Sequence, residues 1–253
     1  MAFDYIESRD GSLTLYSAKY NEHYHSLRDG ALQESYKKHI FPAFACTEQT
    51  NSIHILDICF GLGYNVYSCL LYAQKYLPKT KLHITSVELD LPLIHSLTDF
   101  TYPKEFDEIR DFRKIQTALS QSLHYESEYL SVQIINQDAR EAIASLDSSF
   151  DIVFQDPFSL GKTPLFWTSE YFELLKQKMR ENAVLTTYAM SSKVLYTMSQ
   201  CGFFLHKNKE QKRTIGTLAC LQFGEFADFP SIDMKNKLQI HPELCVLHDK
   251  DFT

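Results

Sequence analysis

The sequence has no C-x-x-C pair, no G-x-G-x-x-G run and no apolar stretch long enough to cross a bilayer. Each gap closes off a class of protein. Six scattered cysteines (Cys46, Cys59, Cys69, Cys201, Cys220, Cys245) argue against a metal ribbon or disulfide framework and fit buried thiols in a reducing compartment. Without an apolar run of about 20 residues no membrane-spanning helix is expected. The opening Met1-Ala2-Phe3-Asp4-Tyr5 has no basic segment leading into an apolar one, so no secretion signal is read and the cytoplasm is the expected location. Positive charge is also short: 25 Lys and Arg against 32 Asp and Glu give a net charge of -7. That excludes a cationic coat for gripping nucleic acid but leaves a local basic patch open. Repeats and low-complexity runs are missing. What remains is 253 residues at 44% hydrophobic content, enough for one large α/β domain with additions or for two small domains.

The stretch that organises the rest is Ile53-His54-Ile55-Leu56-Asp57-Ile58-Cys59-Phe60-Gly61-Leu62-Gly63-Tyr64-Asn65. Residues 53–58 are β-branched and apolar without alternation, the pattern of a strand covered on both faces. Gly61 and Gly63 allow a tight turn and close approach to a ligand. Val66, Cys69, Leu70, Ala73 and Leu77 then follow at helical spacing. Strand, glycine turn and helix N-terminus make a ligand cradle at the carboxyl end of a parallel strand. A second strand over 81–88 ends in Glu88-Leu89, where doubly wound folds place an acid for ribose hydroxyls. Nicotinamide enzymes and S-adenosylmethionine (SAM) methyltransferases share that device. Asp57 before the turn, and Val66 where a third glycine would hold a pyrophosphate, favour SAM.

Ahead of this unit, Arg9-Asp10-Gly11-Ser12 signals a turn into a small hairpin over 12–17. A turn at Asp29-Gly30 leads to a helix through Ile40, expected to stop before Pro42. After it, residues 101–129 read as a charged helical excursion with a solvated face. A third strand over 131–136 delivers Asp138-Ala139, where the aspartate can cap the next helix or meet an adenine amino group. A fourth delivers Asp156, Pro157 and Phe158 to the same edge. A helix over 165–179, a strand over 183–188, a helix over 192–201 and an antiparallel pair (203–206 and 217–223) follow. The basic run Lys207 to Arg213 lies between the pair, and the tail from 226 reads as short and irregular. β-α units closed by an antiparallel hairpin suit a class I SAM-dependent methyltransferase: a Rossmann-like α/β fold with a mostly parallel seven-stranded sheet. The expected division is an N-terminal hairpin and helix extension over 1–50, the Rossmann-like domain over 51–225 and a tail over 226–253.

Three blocks carry a resemblance: Tyr24-His25-Ser26 with Gly30-Ala31-Leu32-Gln33-Glu34-Ser35; Phe60-Gly61-Leu62-Gly63-Tyr64-Asn65; and Gln155-Asp156-Pro157-Phe158-Ser159 with Lys162, Pro164, Trp167 and Thr168. From about residue 10 to 224 the chain resembles the methyltransferase domain of the MnmC family. The resemblance implies methyl transfer from SAM to the aminomethyl nitrogen of 5-aminomethyl(-2-thio)uridine at the tRNA wobble position. It implies a stand-alone form without the flavin oxidase, so that a separate enzyme supplies the amine. No flavin and no metal are expected. Asp156-Pro157 departs from the family's more usual D-A or D-G pair, and Lys162-Thr163-Pro164 from K-N-P. Pro157 stiffens the loop and removes a backbone donor.

The chemistry assigns Asp156 the catalytic position, because an amine must shed a proton before attacking a sulfonium methyl and a carboxylate can orient it and accept that proton. Expected around SAM are Tyr24, Ser26, Gly30 and Glu34, which the resemblance closes over the methionine end. Asp57, Phe60, Gly61, Gly63 and Asn65 lie at the turn, Glu88 and Leu89 at the ribose, Asp138 and Ala139 at the adenine, and Asp156 is expected to border the cofactor as well. Pro157, Phe158, Lys162, Trp167 and Tyr188 are candidate substrate contacts, the aromatics either walling a base or filling the core. Lys209, Lys212 and Arg213 either meet tRNA phosphates or form a solvated loop. Alternatives are a methyl- or aminopropyltransferase for a small amine, an inactive SAM-binding module and a dinucleotide-binding reductase.

Overall fold

A computed structural model describes residues 4–252 of the chain. Met1, Ala2 and Phe3, from the segment read for a signal, and Thr253, at the end of the tail, lie outside the described residues. The chain opens with strands β1 (Tyr5–Glu7), β2 (Leu13–Ser17) and β3 (Glu22–His23), a three-stranded antiparallel sheet rather than a lone hairpin. Helix α1 (Ala31–Ser35) runs through a π-helical turn (Tyr36–Ile40) into α2 (Phe41–Cys46). The helix therefore passes Pro42 instead of stopping before it. Proline cannot donate to the carbonyl four residues back and its ring crowds that carbonyl. A π turn, in which Phe41 N–H reaches Tyr36 O, widens the helix there, and π turns recur at functional sites.

The core is built by β4 (Ser52–Ile58), α3 (Tyr64–Tyr76), β5 (Lys81–Val87), α4 (Leu91–Ser96), α5 (Phe112–Ser122), β6 (His124–Glu126) and β7 (Leu130–Ile135). There follow α6 (Ala139–Ser145), β8 (Phe150–Gln155), α7 (Ser169–Lys178), β9 (Met179–Thr187), α8 (Ser192–Gln200), β10 (Phe204–Glu210), β11 (Arg213–Cys220) and α9 (Met234–Ile240). The strands make one sheet in the order β10-β11-β9-β8-β4-β5-β7-β6. β7, β5, β4, β8 and β9 are parallel; β11, β10 and β6 run against their neighbours. The fold class is the expected one, with one strand more: β6, inside the 101–129 excursion, extends the far edge. β4 sends Ile53 and Ile55 into one helical layer and Leu56 and Ile58 into the other, so both faces are covered, as its lack of apolar–polar alternation predicts.

Three further segments differ from expectation. Residues 101–129 are not merely solvated: Phe106, Ile109, Phe112, Ile115 and Leu119 are buried, and Tyr102 donates to Leu62 O at 2.7 Å, bracing the glycine turn from below. Lys207–Glu210 belong to β10 and not to a loop, because they pair with β11 up to a turn at Gln211 and Lys212. The tail carries α9 and a short 3-10 turn (Asp249–Asp251) tied down by Arg140 to Asp249 at 2.7 Å and Ser169 N to Leu247 O at 2.8 Å. No helix among the described residues is long and apolar enough to cross a membrane.

Candidate active site

The chain reverses direction across the sheet between β4, which feeds β5 on one side, and β8, which returns on the other. Ligands bind in the crevice that such a switch point opens beyond the carboxyl ends of the strands. A cavity of about 840 Å³ occupies it. Its floor is Cys59, Phe60, Gly61, Asn65, Glu88, Leu89, Asp138, Ala139, Asp156, Pro157 and Phe158, and its roof is the N-terminal extension with Tyr20, Glu22, Tyr24, His25, Ser26 and Glu34. Tyr188 closes one side.

The glycine turn is shaped by sterics. Gly63 has φ +78° and starts α3; a Cβ there would lie 2.8 Å from the Phe60 and Tyr67 rings. Gly61 has φ +53°, and a Cβ would come within 3.2 Å of Tyr24 Cδ1. Both positions therefore favour glycine. Glu88 locks the turn in place: Gly61 N donates to its Oε2 at 2.8 Å, while Leu89 N and Asp90 N donate to Oε1 at 2.9 Å. Burial pushes the Glu88 carboxyl up from its ordinary value, against the pull of those three amides. Asp138 caps α6 through Oδ1, accepting from Arg140 N at 2.9 Å and Glu141 N at 3.4 Å. Both contacts use one oxygen and leave the capping role compatible with a ligand at the other.

Asp156 follows β8 with 19% of its side chain accessible, enough to meet a ligand. Asn65 Nδ2 donates to its Oδ2 at 2.8 Å, and His39 Nε2 lies 3.3 Å from Oδ1. Burial would raise its carboxyl, but His39, His25 and Asn65 together hold it below the usual carboxylate value. Asp156 is thus an anion at neutral pH. Burial and nearby carboxylates push the Tyr24 and Tyr188 phenols up, so both are neutral donors; Tyr188 OH donates to Pro157 O at 2.8 Å. Phe158 sits in an aromatic group with Tyr20 (4.6 Å between ring centroids) and Tyr24 (5.0 Å). Glu22 accepts from Ser159 Oγ at 2.7 Å, which ties the N-terminal sheet to the loop after β8.

Several expected residues lie outside the cavity wall. Asp57 is buried beneath it, accepting from Ser86 Oγ at 2.6 Å, with its carboxyl pushed up to about 7 by burial. Gly30 (φ +86°) packs against Asp10 and shapes the turn that lets Ser26 N donate to Glu34 Oε2 at 2.7 Å. Trp167 is a correction: it is buried in the core and donates from Nε1 to Phe158 O at 3.1 Å, supporting the loop from behind instead of walling a substrate. Lys162 is exposed on the loop after β8, outside the wall. Lys209, Lys212 and Arg213 are exposed at the β10–β11 turn, which antiparallel pairing with the end of β9 carries out beyond the same carboxyl edge. Sequence reasoning missed Tyr20, Glu22, His25 and His39; only folding brings their segment over the edge, and Ser35 and His39, four apart on one helix, were the available hint.

SAM carries a sulfonium, an ammonium and ribose hydroxyls. A cavity lined by the carboxylates of Glu34, Glu88, Asp138 and Asp156, with aromatic walls, has the negative charge and hydrogen-bond acceptors that such a ligand requires.

A family profile described as S-adenosyl-L-methionine-dependent methyltransferase matches residues 105–221. The crystal structure of MnmC2 from Aquifex aeolicus is similar at a TM-score of 0.83 and 30% identity, covering 99% of this chain and 80% of that one. An uncharacterised protein of Methanocaldococcus jannaschii is 27% identical over 215 residues, 85% of this chain and 58% of its own length. The tRNA 5-methylaminomethyl-2-thiouridine biosynthesis bifunctional protein MnmC of Azoarcus sp. is 27% identical over 205 residues, 77% of this chain and 32% of its own. The chain thus spans somewhat over half of the archaeal relative and about a third of the bifunctional one.

Proposed function

The chain belongs to the MnmC family of SAM-dependent methyltransferases, and from that premise we propose that it methylates the aminomethyl nitrogen of 5-aminomethyl(-2-thio)uridine at the tRNA wobble position. The observation that carries the reading is Asp156, an anion at the carboxyl end of β8, held by Asn65 and opening into a cavity edged by Glu88 and Asp138. SAM, when bound, supplies the electrophilic methyl group. Asp156 accepts the proton that the substrate ammonium must lose and orients the nitrogen that results. Most of the rate comes from alignment, since a held near-attack geometry replaces a bimolecular encounter.

Glu88 and Asp138 serve the ribose and adenine; Tyr24, Ser26 and Glu34 serve the methionine end. Tyr20, Tyr24, Phe158 and Tyr188 offer aromatic faces for an unstacked uridine. Lys209, Lys212 and Arg213, at the same edge and with no carboxylate partner among the described residues, serve the tRNA phosphates. A separate enzyme makes the aminomethyl uridine, and the reaction takes place where tRNA resides, in the cytoplasm.

The test is transfer of labelled methyl from SAM to tRNA isolated from cells lacking this protein, followed by digestion and mass identification. Methylaminomethyl uridine at the wobble position is the expected product. Labelled polyamines in place of tRNA, or tight SAM binding without any transfer, would overturn the reading.

A further inference from the structure

His39 sits on the π-helical turn, fully buried, where an imidazole has a cost unless both ring nitrogens are used. Nδ1 lies 3.1 Å from Thr186 Oγ1 on β9. Nε2 lies 3.3 Å from Asp156 Oδ1 but off the line of a hydrogen bond, and among the described residues it has no other partner. Packing alone does not call for a histidine here: an apolar ring would fill the same space against Phe154 (centroids 6.0 Å apart) without that cost.

Ser35, on the same helix, donates to Asn65 Oδ1 at 2.7 Å, and Asn65 Nδ2 donates to Asp156 Oδ2 at 2.8 Å. Both carboxylate oxygens are therefore approached from one helix: Oδ2 through Ser35 and Asn65, Oδ1 by His39 backed by Thr186. Contacts of this kind are commonly loose before substrate binds and tighten in the complex.

We propose that His39 is the positioning residue for Asp156. With its proton on Nε2 and Thr186 Oγ–H donating to Nδ1, it holds the carboxylate from behind and fixes which lone pairs face the cavity. The hydrogen bond to Oδ1 closes when an amine docks on the front of the carboxylate. The inference rests on the reading of Asp156 as the group that receives the substrate amine.

The experiment compares wild type, His39→Gln and His39→Asn in methyl transfer to tRNA, with SAM affinity measured by calorimetry. A glutamine amide reaches the place of Nε2 and still donates to Asp156; an asparagine amide reaches only the place of Nδ1. His39→Asn is expected to lose about a hundredfold in kcat with SAM affinity within about threefold, and His39→Gln to recover at least about tenfold of that loss. Equal losses in both variants, or a kcat loss that follows SAM affinity and melting temperature, would overturn the proposal in favour of a purely structural histidine. Long-range proton–nitrogen NMR decides the same point without turnover. An Nε2-protonated ring whose signal moves in Asp156→Asn is expected; an Nδ1-protonated ring overturns the proposal. Wild type that binds SAM yet leaves tRNA unlabelled would sink the substrate reading alone, and the NMR result would still decide the placement of His39.

Discussion

Asn65 Nδ2 donates a 2.8 Å hydrogen bond to Asp156 Oδ2 across 91 positions of sequence, joining the first turn of α3 to the end of β8. That bond spans the switch-point crevice, so the helix that leaves the glycine turn also sets the orientation of the acid opposite it. Asp156→Asn keeps the shape of the side chain and removes the proton acceptor. Methyl transfer should fall by about a hundredfold or more while SAM affinity stays within about threefold. Turnover assays beside calorimetry check this, and near-normal kcat would remove Asp156 from the catalytic position.

Glu88 holds three backbone amides and edges the cavity, so one residue both shapes the turn and faces the cavity. Glu88→Gln keeps one acceptor oxygen and loses the charge. SAM affinity should weaken about tenfold, the scale of one hydrogen bond to a charged group. Unchanged affinity by calorimetry would show that Glu88 braces the turn only.

Asp57 gives stability a pH dependence. Its ordinary value is 3.8 and burial raises it to about 7. The folded chain therefore keeps a proton that the unfolded chain has released, and the associated stability is full below about pH 4 and lost as pH rises toward about 7. Asp57→Asn has no proton to lose. Melting temperatures from pH 5 to pH 8 should fall more in wild type than in the variant; parallel curves would mean that Asp57 ionises normally.

Gly30 stands where a side chain has no room. At φ +86° its Cβ would lie 1.9 Å from Asp10 Cγ, and Asp10 is held by Ser12 N and Gln33 N at 3.0 Å each. Gly30→Ala should cost about 2 kcal/mol or more in chemical denaturation, from combined backbone strain and displacement of Asp10. A cost below about 0.5 kcal/mol would mean that the turn shifts freely.

If the β10–β11 turn meets tRNA as proposed, charge reversal there separates RNA binding from cofactor binding. Lys212→Glu with Arg213→Glu should weaken tRNA affinity and lower the salt dependence by about one unit for each phosphate contact removed, with SAM affinity unchanged. Equal affinity and slope in filter binding across a salt series would place the tRNA elsewhere.

The sequence alone determined the β-α order, the glycine turn and the acids at the strand ends. Those signals are local: a mostly apolar run for β4, two glycines where φ is positive, and acids directly after β5 and β8 and three residues after β7. It also placed Asp156 at the carboxyl edge, since strand direction follows from the order of units. Tertiary structure alone decided what surrounds that edge. Tyr20 and Glu22 reach the cavity, and His39 comes to lie behind Asp156, because the N-terminal sheet and helix fold over that edge, with Tyr64 OH donating to Leu13 O at 2.8 Å as one of the ties. Trp167 turns inward because its large apolar ring packs into the core beside Tyr171 and Phe172, where its Nε1 joins Thr163 Oγ1 in donating to Phe158 O. Helix continuation through Pro42 depended on a π turn packed between α3 and β9, a contact that no local propensity encodes. Local sequence fixes backbone form and strand direction; which side chains converge on one carboxylate depends on packing between segments far apart in the chain.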